Sequence, residues 1–204
     1  MSDADEYDRQ YQVWLSSRGA DALDLDRRLE NLLWRQRAML RARRPAGLTA
    51  LDFGCMDGVF TFALERAGAV ATGFDVSPAA IQQALRFRGD RLTPRFTTNP
   101  PSSEFFDLVY CAEVLEHIDD DRAFVGRLVC QLVPGGVLIG TTPVGRHFWD
   151  PDHKRAYDEN SLRAVLEPWG SVKLRRYYRS PLRNLLPLKQ RGAAVFLFEV
   201  HRAG

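Results

Sequence analysis

The chain has 204 residues, of which 45% are apolar and 26% are charged, as in an ordinary globular protein with room for a full core. No apolar run approaches the roughly 20 residues that a membrane span needs. Residues 1–10 are acidic and polar, unlike a signal peptide. We therefore expect a cytoplasmic protein with no membrane partner, folded as a single domain over residues 1–204.

The net charge of +2 and the pI of about 8.5 hide an uneven distribution along the chain. Residues 1–26 are acidic, whereas residues 27–44 and 173–191 are strongly basic. A nucleic-acid binder usually raises its pI above about 9, so the charge argues against such a partner. The basic stretches indicate either solvated surfaces or a surface for an anionic small molecule.

Three cysteines lie in apolar contexts and lack the spacing of a metal-binding knuckle. They are Cys55, Cys111 and Cys130. Because reduced thiols are the rule in the cytoplasm, we expect three buried free cysteines.

The first elements in chain order are helical. Tyr7, Tyr11 and Trp14 are spaced to share one face of a short arm, which would pin that arm to the core. Residues 24–43 then carry leucines at helical spacing, with arginines on the other face. This pattern predicts one long amphipathic helix packed on a sheet.

A strand–turn–helix–strand unit is predicted over residues 49–77. Its parts are a buried strand at residues 50–53, a glycine turn at 54–58, a helix at 59–67 and a strand at 70–76. Glycine lets the turn bend sharply and approach a ligand, and the helix directs its free N–H groups into the same crevice. The unit is half of a nucleotide-binding fold.

The acids of this unit favour a cationic nucleoside ligand. A dinucleotide fold uses three closely spaced glycines and binds a pyrophosphate, which Asp52 and Asp57 would repel. Asp75, at the end of the second strand, can accept two hydrogen bonds from the vicinal hydroxyls of a ribose.

Helices and strands continue to alternate along the rest of the chain. The predicted elements are a helix at residues 78–87 capped by Ser77, a strand at 95–98, a strand running into a turn at 105–116, a helix at 121–133, a turn at 134–136, a strand at 137–142, a helix at 159–169 capped by Asp158, and strands at 172–178 and 194–201. The alternation predicts a doubly wound α/β fold whose last two strands form a hairpin.

The glycine turn, Asp75, the sequence EVLEH at residues 113–117 and the PGG at 134–136 occur together and in order. This set resembles the class I S-adenosylmethionine-dependent methyltransferases, and residues 106–118 resemble the small-molecule branch that includes ubiquinone-type O-methyltransferases. The resemblance implies a Rossmann-like fold with a seven-stranded, mostly parallel sheet and an antiparallel last strand. It also implies S-adenosylmethionine as cofactor and a small-molecule acceptor methylated on oxygen or nitrogen.

The same resemblance assigns the cofactor contacts. In that family the first acid lies near the ammonium end of the methionine moiety and the second holds the ribose; Asp52 and Asp75 take those places. Met56 stands where the family has its middle glycine. Residues 1–44 would form an arm or lid, with Tyr11 either touching the cofactor or only pinning the arm. The predicted contacts are Tyr11, Asp52, Gly54, Cys55, Met56, Gly58, Phe60, Asp75, Val76, Cys111, Ala112 and Glu113.

Two histidines are candidate catalytic bases. His117 and His153 belong to loops at the same edge of the predicted sheet and so can face one substrate. An imidazole with an ordinary pKa of about 6.5 can accept a proton from a hydroxyl acceptor. The alternatives are a turn-capping role for His117 and an exposed loop position for His153. His147 lies in the same loop as His153, beside aromatic residues that suggest a planar or anionic acceptor.

Two further hypotheses remain open. Glu113, Glu116 and His117, completed by His153, are suitable ligands for a divalent cation. Metal sites on this segment occur in ubiquinone-type O-methyltransferases, and a related set occurs in small-RNA 2′-O-methyltransferases, so the acceptor would be a diol or a terminal ribose. Alternatively, Met56 would mark a methyltransferase-like binding subunit without turnover. We take the metal-free base as the primary hypothesis.

Overall fold

The computed structural model describes residues 3–102, 104–145, 152–178 and 194–204. The helices are α1 (Asp3–Arg18), α2 (Leu25–Glu30), α3 (Trp34–Ala42), α4 (Val59–Arg66), α5 (Pro78–Arg88), α6 (Asp121–Cys130) and α7 (Glu159–Leu166). The strands are β1 (Thr49–Phe53), β2 (Val70–Phe74), β3 (Arg95–Thr97), β4 (Phe106–Ala112), β5 (Leu132–Pro143), β6 (Ser171–Tyr178) and β7 (Ala194–His201). Short 3-10 helices cover Gly19–Leu23, Leu115–His117 and Glu167–Trp169.

The strands form one sheet in the order β3-β2-β1-β4-β5-β7-β6. Strand β2 pairs in parallel with β1 and β3, and β4 pairs in parallel with β5. Strand β7 runs antiparallel to both β5 and β6. These pairings confirm the predicted Rossmann-like class, including its antiparallel last strand.

The chain divides into two compact units. The first unit comprises Met1–Leu33 and Arg44–Glu104, and the second comprises Trp34–Arg43 and Phe105–Gly204. In the first unit, β1 and β2 are in register from Thr49↔Val70 to Phe53↔Phe74. Helix α4 buries every residue from Val59 to Leu64, because it packs against β1, β2 and α2.

The core of the second unit lies around β5 and β7, which pair from Val137↔His201 to Pro143↔Val195. Leu138, Ile139 and Phe196 on these strands are fully buried. Burial on both faces explains the apolar run from Ala194 to Phe198 in β7.

The helix predicted at residues 24–43 is wrong in one respect, because the structure has two helices there. Helix α2 ends at Glu30 and is followed by Asn31, whose backbone N–H and side-chain amide both donate to the carbonyl of Arg27, at 3.1 Å and 2.8 Å. This side-chain bond competes with continuation of the helix. The apolar spacing of Leu29, Leu32 and Leu33 runs across the break and therefore did not reveal it.

Two predictions around α6 are also corrected. The helix predicted to residue 133 ends at Cys130, and the PGG predicted as a turn lies inside β5. There the β4–β5 register shifts between Phe106 and Leu108, and Gly135 takes up the irregularity at φ +77°. Cys130 is exposed, against expectation, because it is the last residue of the helix, whereas Cys55 and Cys111 are buried free thiols as predicted.

Among the helices of the described residues, none combines the length and the apolar character that crossing a membrane requires.

Candidate functional site

The turn after β1 is fastened to the end of β2. The N–H groups of Gly54 and Cys55 both donate to the carbonyl of Phe74, at 2.8 Å and 2.9 Å. Met56 then has φ +54°, a left-handed conformation that costs a non-glycine residue about 1–2 kcal/mol. The turn therefore requires the backbone that glycine adopts most easily, although methionine occupies the position.

Asp75, directly after β2, joins the turn to the loop that follows it. Its Oδ2 accepts the N–H of Met56 at 2.8 Å, and its Oδ1 accepts the N–H of Ser77 at 2.9 Å. Each carboxylate oxygen can accept a second hydrogen bond, and the side chain is half-buried. Burial raises the pKa of Asp75, and the two backbone hydrogen bonds act in the opposite direction.

Asp52 is a buried acid at the end of β1, with 3% of its surface exposed. Thr61 donates to its Oδ2 at 2.7 Å. Burial raises the pKa of Asp52 to about 7, the hydrogen bond from Thr61 opposes that rise, and the nearby Asp75 adds to it. A cationic group beside Asp52 would favour its charged form.

Asp57 has a role that sequence reasoning missed. Arg28 binds it with two hydrogen bonds of 2.6 Å and 2.9 Å, and the hydroxyl of Tyr11 donates to its Oδ2 at 3.3 Å. Asp57 is 1% exposed, so its charge is neutralised inside the protein. Its partners lie 29 and 46 residues away in the chain, and no local pattern signals them.

Helix α1 is held at two points one helical turn apart. Tyr11 is buried, and its ring stacks on Trp14 with centroids 5.9 Å apart. Asp8 accepts hydrogen bonds from the Ser77 hydroxyl and from the N–H of Ala79, the latter at 2.9 Å. These contacts fit the pinning interpretation of Tyr11; its contact with a cofactor stays a prediction.

Four other predicted cofactor contacts of the first unit differ in their surroundings. Gly58 has φ +80°, and a Cβ there would lie 2.5 Å from the ring of Phe96, so packing alone requires glycine. Phe60 is buried within α4, whereas Val76, next to Asp75, is 36% exposed. Burial raises the pKa of the Cys55 thiol well above its ordinary value.

The second unit carries the remaining predicted residues at the end of β4. Cys111 is buried, Ala112 is half-buried, and Glu113 follows at φ +55°. Glu113 Oε2 lies 3.7 Å from Arg35 Nε on α3, while its Oε1 is buried without a hydrogen-bond partner among the described residues. Burial raises the pKa of Glu113, and Arg35 opposes the rise.

Glu116, in the 3-10 helix Leu115–His117, is 1% exposed. Its Oε2 accepts a 3.0 Å hydrogen bond from the hydroxyl of Thr142, whereas Oε1 is buried and has no partner in the described part of the chain. Burial, followed by the neighbouring charge of Glu113, raises the pKa of Glu116 to about 8.

His117 and His153 lie together, as their loop positions predicted. Their ring centroids are 4.8 Å apart in an edge-to-face arrangement. Nδ1 of His117 is 3.2 Å from the carbonyl oxygen of Asp152. If Nδ1 carries the proton and donates it there, Nε2 is the nitrogen with the lone pair. His147 lies outside the described residues.

The model of the family described as "Methyltransferase domain" matches residues 24–186. The chain belongs to the class I S-adenosylmethionine-dependent methyltransferases. It is 35% identical over 103 residues to a ubiquinone biosynthesis O-methyltransferase of Methylobacterium sp. (strain 4-46), covering 48% of this chain and 41% of that one. It is 29% identical over 158 residues to the enzyme of the same name from Rhodopseudomonas palustris (strain BisA53), covering 62% of each chain.

This methyltransferase chain thus spans about half the length of the curated relatives it matches. A solved structure, the magnesium protoporphyrin IX methyltransferase ChlM of Synechocystis PCC 6803 with bound SAH, shares its fold with a TM-score of 0.70. That likeness covers 98% of both chains at 19% sequence identity.

In this methyltransferase the groups after β4 form the candidate catalytic cluster. One ligand atom from each of Glu116, His117 and His153 lies within 4.8 Å of the other two. A neutral imidazole nitrogen in this position can take a proton from an acceptor hydroxyl. The same three side chains are also ligand types that a divalent cation prefers.

Proposed function

We propose that the chain is a small-molecule methyltransferase, one domain over residues 1–204, that moves the methyl group of S-adenosylmethionine to an oxygen or nitrogen atom. The observation that carries the proposal is the geometry of Asp75. It supports the glycine turn through Met56 and the next loop through Ser77, and it keeps lone pairs for ribose hydroxyls.

The acids of the first unit would bind the cofactor in two places. Asp75 would accept hydrogen bonds from the ribose hydroxyls. Asp52 would face the ammonium end of the methionine moiety, which would favour its charged form despite its pKa of about 7. Tyr11, on the arm formed by residues 1–44, would complete the site.

Methyl transfer from a sulfonium needs alignment more than covalent help. The attacking atom approaches the methyl carbon in line with the C–S bond, that bond breaks, and the sulfur keeps its electron pair as a thioether. Alignment can supply roughly 7–11 kcal/mol. His153 or His117 would take the proton of a hydroxyl acceptor, which is worth about 10²–10⁴-fold in rate.

Calorimetry followed by a product assay tests this proposal. We expect the wild-type chain to bind S-adenosylmethionine and S-adenosylhomocysteine but not NADH. With a panel of phenols, catechols and amines, it should release S-adenosylhomocysteine. Binding without turnover on any acceptor would favour a silent binding subunit, and binding of NADH alone would overturn the assignment.

A second candidate, cation-assisted O-methylation of a diol, is favoured by one specific observation. The ligand atoms of Glu116, His117 and His153 converge, and Glu116 Oε1 is buried without a partner among the described residues. These three residues would hold the ion, with Glu113 beside them. A bound divalent cation would acidify a catechol or terminal ribose hydroxyl. Thr142 orients Glu116, and the Asp152 carbonyl orients His117.

Chelation separates the two candidates. For a metal-free base, activity should survive EDTA, and His153→Ala should lower turnover by about 10²–10⁴-fold with unchanged cofactor affinity. For the cation-assisted enzyme, EDTA should abolish activity, and added Mg²⁺ or Zn²⁺ should restore it. Glu116→Ala would then lose activity as the histidine variants do, because the removal of any one ligand weakens binding of the cation.

A further inference from the structure

Residues 152–157, which we name the His153 segment, are fastened along their length to the stretch that carries Glu116 and His117. The backbone N–H of Lys154 donates to the carbonyl of Glu116 at 2.9 Å. The Lys154 ammonium pairs with Asp119, whose carbonyl accepts a hydrogen bond from Arg155. Lys154 and Arg155 therefore attach the His153 segment to the stretch from Glu116 to Asp119.

The strongest of these attachments is buried. Tyr157 is 2% exposed, and its hydroxyl donates to Asp121 Oδ2 at 2.8 Å. Asp121, 8% exposed, also pairs with Arg155. The carbonyl of Tyr157 accepts the N–H of Gly145 at 2.7 Å, which ties the same residue to the end of β5. A charge-assisted hydrogen bond in a buried place holds its partners more firmly than an exposed ion pair does.

We propose that Asp121 and Tyr157 are positioning residues, which set the separation of His117 and His153 through the His153 segment. His153 is flanked by Asp152, whose carbonyl meets His117, and by Lys154, whose N–H meets Glu116. A shift of the segment would therefore move His153 relative to both groups. The consequence for turnover rests on the proposed function, whereas the geometric claim does not.

Two conservative variants remove the attachment. Tyr157→Phe deletes only the hydroxyl, and Asp121→Asn keeps the shape of the side chain but removes the charge that Arg155 meets. Removal of a partner that orients a catalytic or ligating side chain typically lowers activity or metal affinity by about 10–100-fold. We expect kcat to fall by that factor in both variants. The KM for S-adenosylmethionine should stay within about twofold.

Matched controls lie one residue away in the chain. Asp158 caps α7 by accepting the N–H of Ser161 at 2.8 Å, and Asp120 caps α6 by accepting the N–H of Ala123 at 3.0 Å. Asp158→Ala and Asp120→Ala remove these caps and so lower thermal stability without touching the Tyr157–Asp121 bond. A general loss of stability would therefore appear equally in the controls.

Proton NMR of the substrate-free protein reads the geometry directly. The chain has four histidines, so His117→Gln and His153→Gln assign the ring signals by difference. We expect cross-peaks between the two rings in the wild type and in both controls, and weak or missing cross-peaks in Tyr157→Phe and Asp121→Asn. Cross-peaks that persist in these two variants, or that are missing from the wild type, overturn the proposal.

Assays of methyl transfer distinguish a failure of this proposal from a failure of the proposed function. A wild-type chain that shows the ring contact but transfers no methyl group contradicts the proposed function and leaves the positioning geometry intact. If the wild type is active, controls that lose kcat as much as Tyr157→Phe would overturn the positioning role.

Discussion

Asp57 in the first unit differs from Glu113 and Glu116 in the second in how its carboxylate oxygens are paired. Both oxygens of Asp57 are bound, by Arg28 and Tyr11. Glu113 and Glu116 each keep one buried oxygen without a partner in the described part of the chain. Because buried polar atoms in folded proteins are nearly always paired, the difference separates an acid that holds structure from acids placed to meet a ligand.

Removal of the partner of Asp57 should have the largest effect on folding. Arg28→Ala would leave a buried carboxylate unpaired, which costs about 3–5 kcal/mol of unfolding free energy. Urea denaturation measures the loss. Arg66→Ala is the matched control, because the side chains of Arg66 and its partner Asp26 are 58% and 78% exposed. Loss of such an exposed ion pair should lower the unfolding free energy by about 1 kcal/mol or less. Equal losses in the two variants would mean that Asp57 is not held as described.

The burial of Asp52 should make stability depend on pH. The unfolded carboxyl loses its proton near pH 3.8, whereas the folded one keeps it up to a pKa of about 7. Between these values the native state binds the extra proton, so stability falls as pH rises, by up to about 1.4 kcal/mol per pH unit. Asp52→Asn, which can still accept the bond from Thr61, should lack this slope.

The measurement is the unfolding free energy of both proteins at several pH values across that window. The unfolding free energy of Asp52→Asn should exceed that of the wild type by an amount that grows steadily with pH. A difference that stays constant would show that Asp52 is charged in the folded state.

Local patterns predicted the fold better than the site. The unit from β1 to β2 was found because glycine, proline and apolar runs act within a few residues of each other. The break at Asn31 was missed because one side-chain hydrogen bond ended a helix whose apolar spacing continued. The Arg28–Asp57 pair was missed because its partners meet only in three dimensions. His117 and His153 were placed together because parallel strands bring their following loops to one edge.

Substitutions of Met56, the left-handed residue of the glycine turn, should change the stability of the protein by an intermediate amount. Met56 has φ +54°, where alanine is strained and glycine is not. Met56→Gly should therefore be more stable than Met56→Ala by about 1 kcal/mol in thermal or urea unfolding. If alanine proves as stable as glycine, the turn relaxes to another conformation in solution.

Among these substitutions, Glu116→Gln should change the unfolding free energy least. At about pH 6, below its pKa of about 8, the carboxyl is protonated, and a glutamine amide resembles it in shape and hydrogen bonding. Glu116→Gln should therefore change the unfolding free energy of the EDTA-treated protein by less than about 1 kcal/mol. A loss as large as that of Arg28→Ala would erase the contrast between the two groups of acids.

Binding of S-adenosylmethionine to Asp75→Ala, measured by calorimetry beside the wild type, tests whether Asp75 holds the ribose of the cofactor. Loss of the ribose acid should weaken binding by about 2–4 kcal/mol, and loss of its bonds to Met56 and Ser77 should lower stability by about 1 kcal/mol each. Glu104→Ala, an exposed acid paired with Arg95 in the same unit, should bind like the wild type. If folded Asp75→Ala binds S-adenosylmethionine as tightly as the wild type, Asp75 does not hold the cofactor.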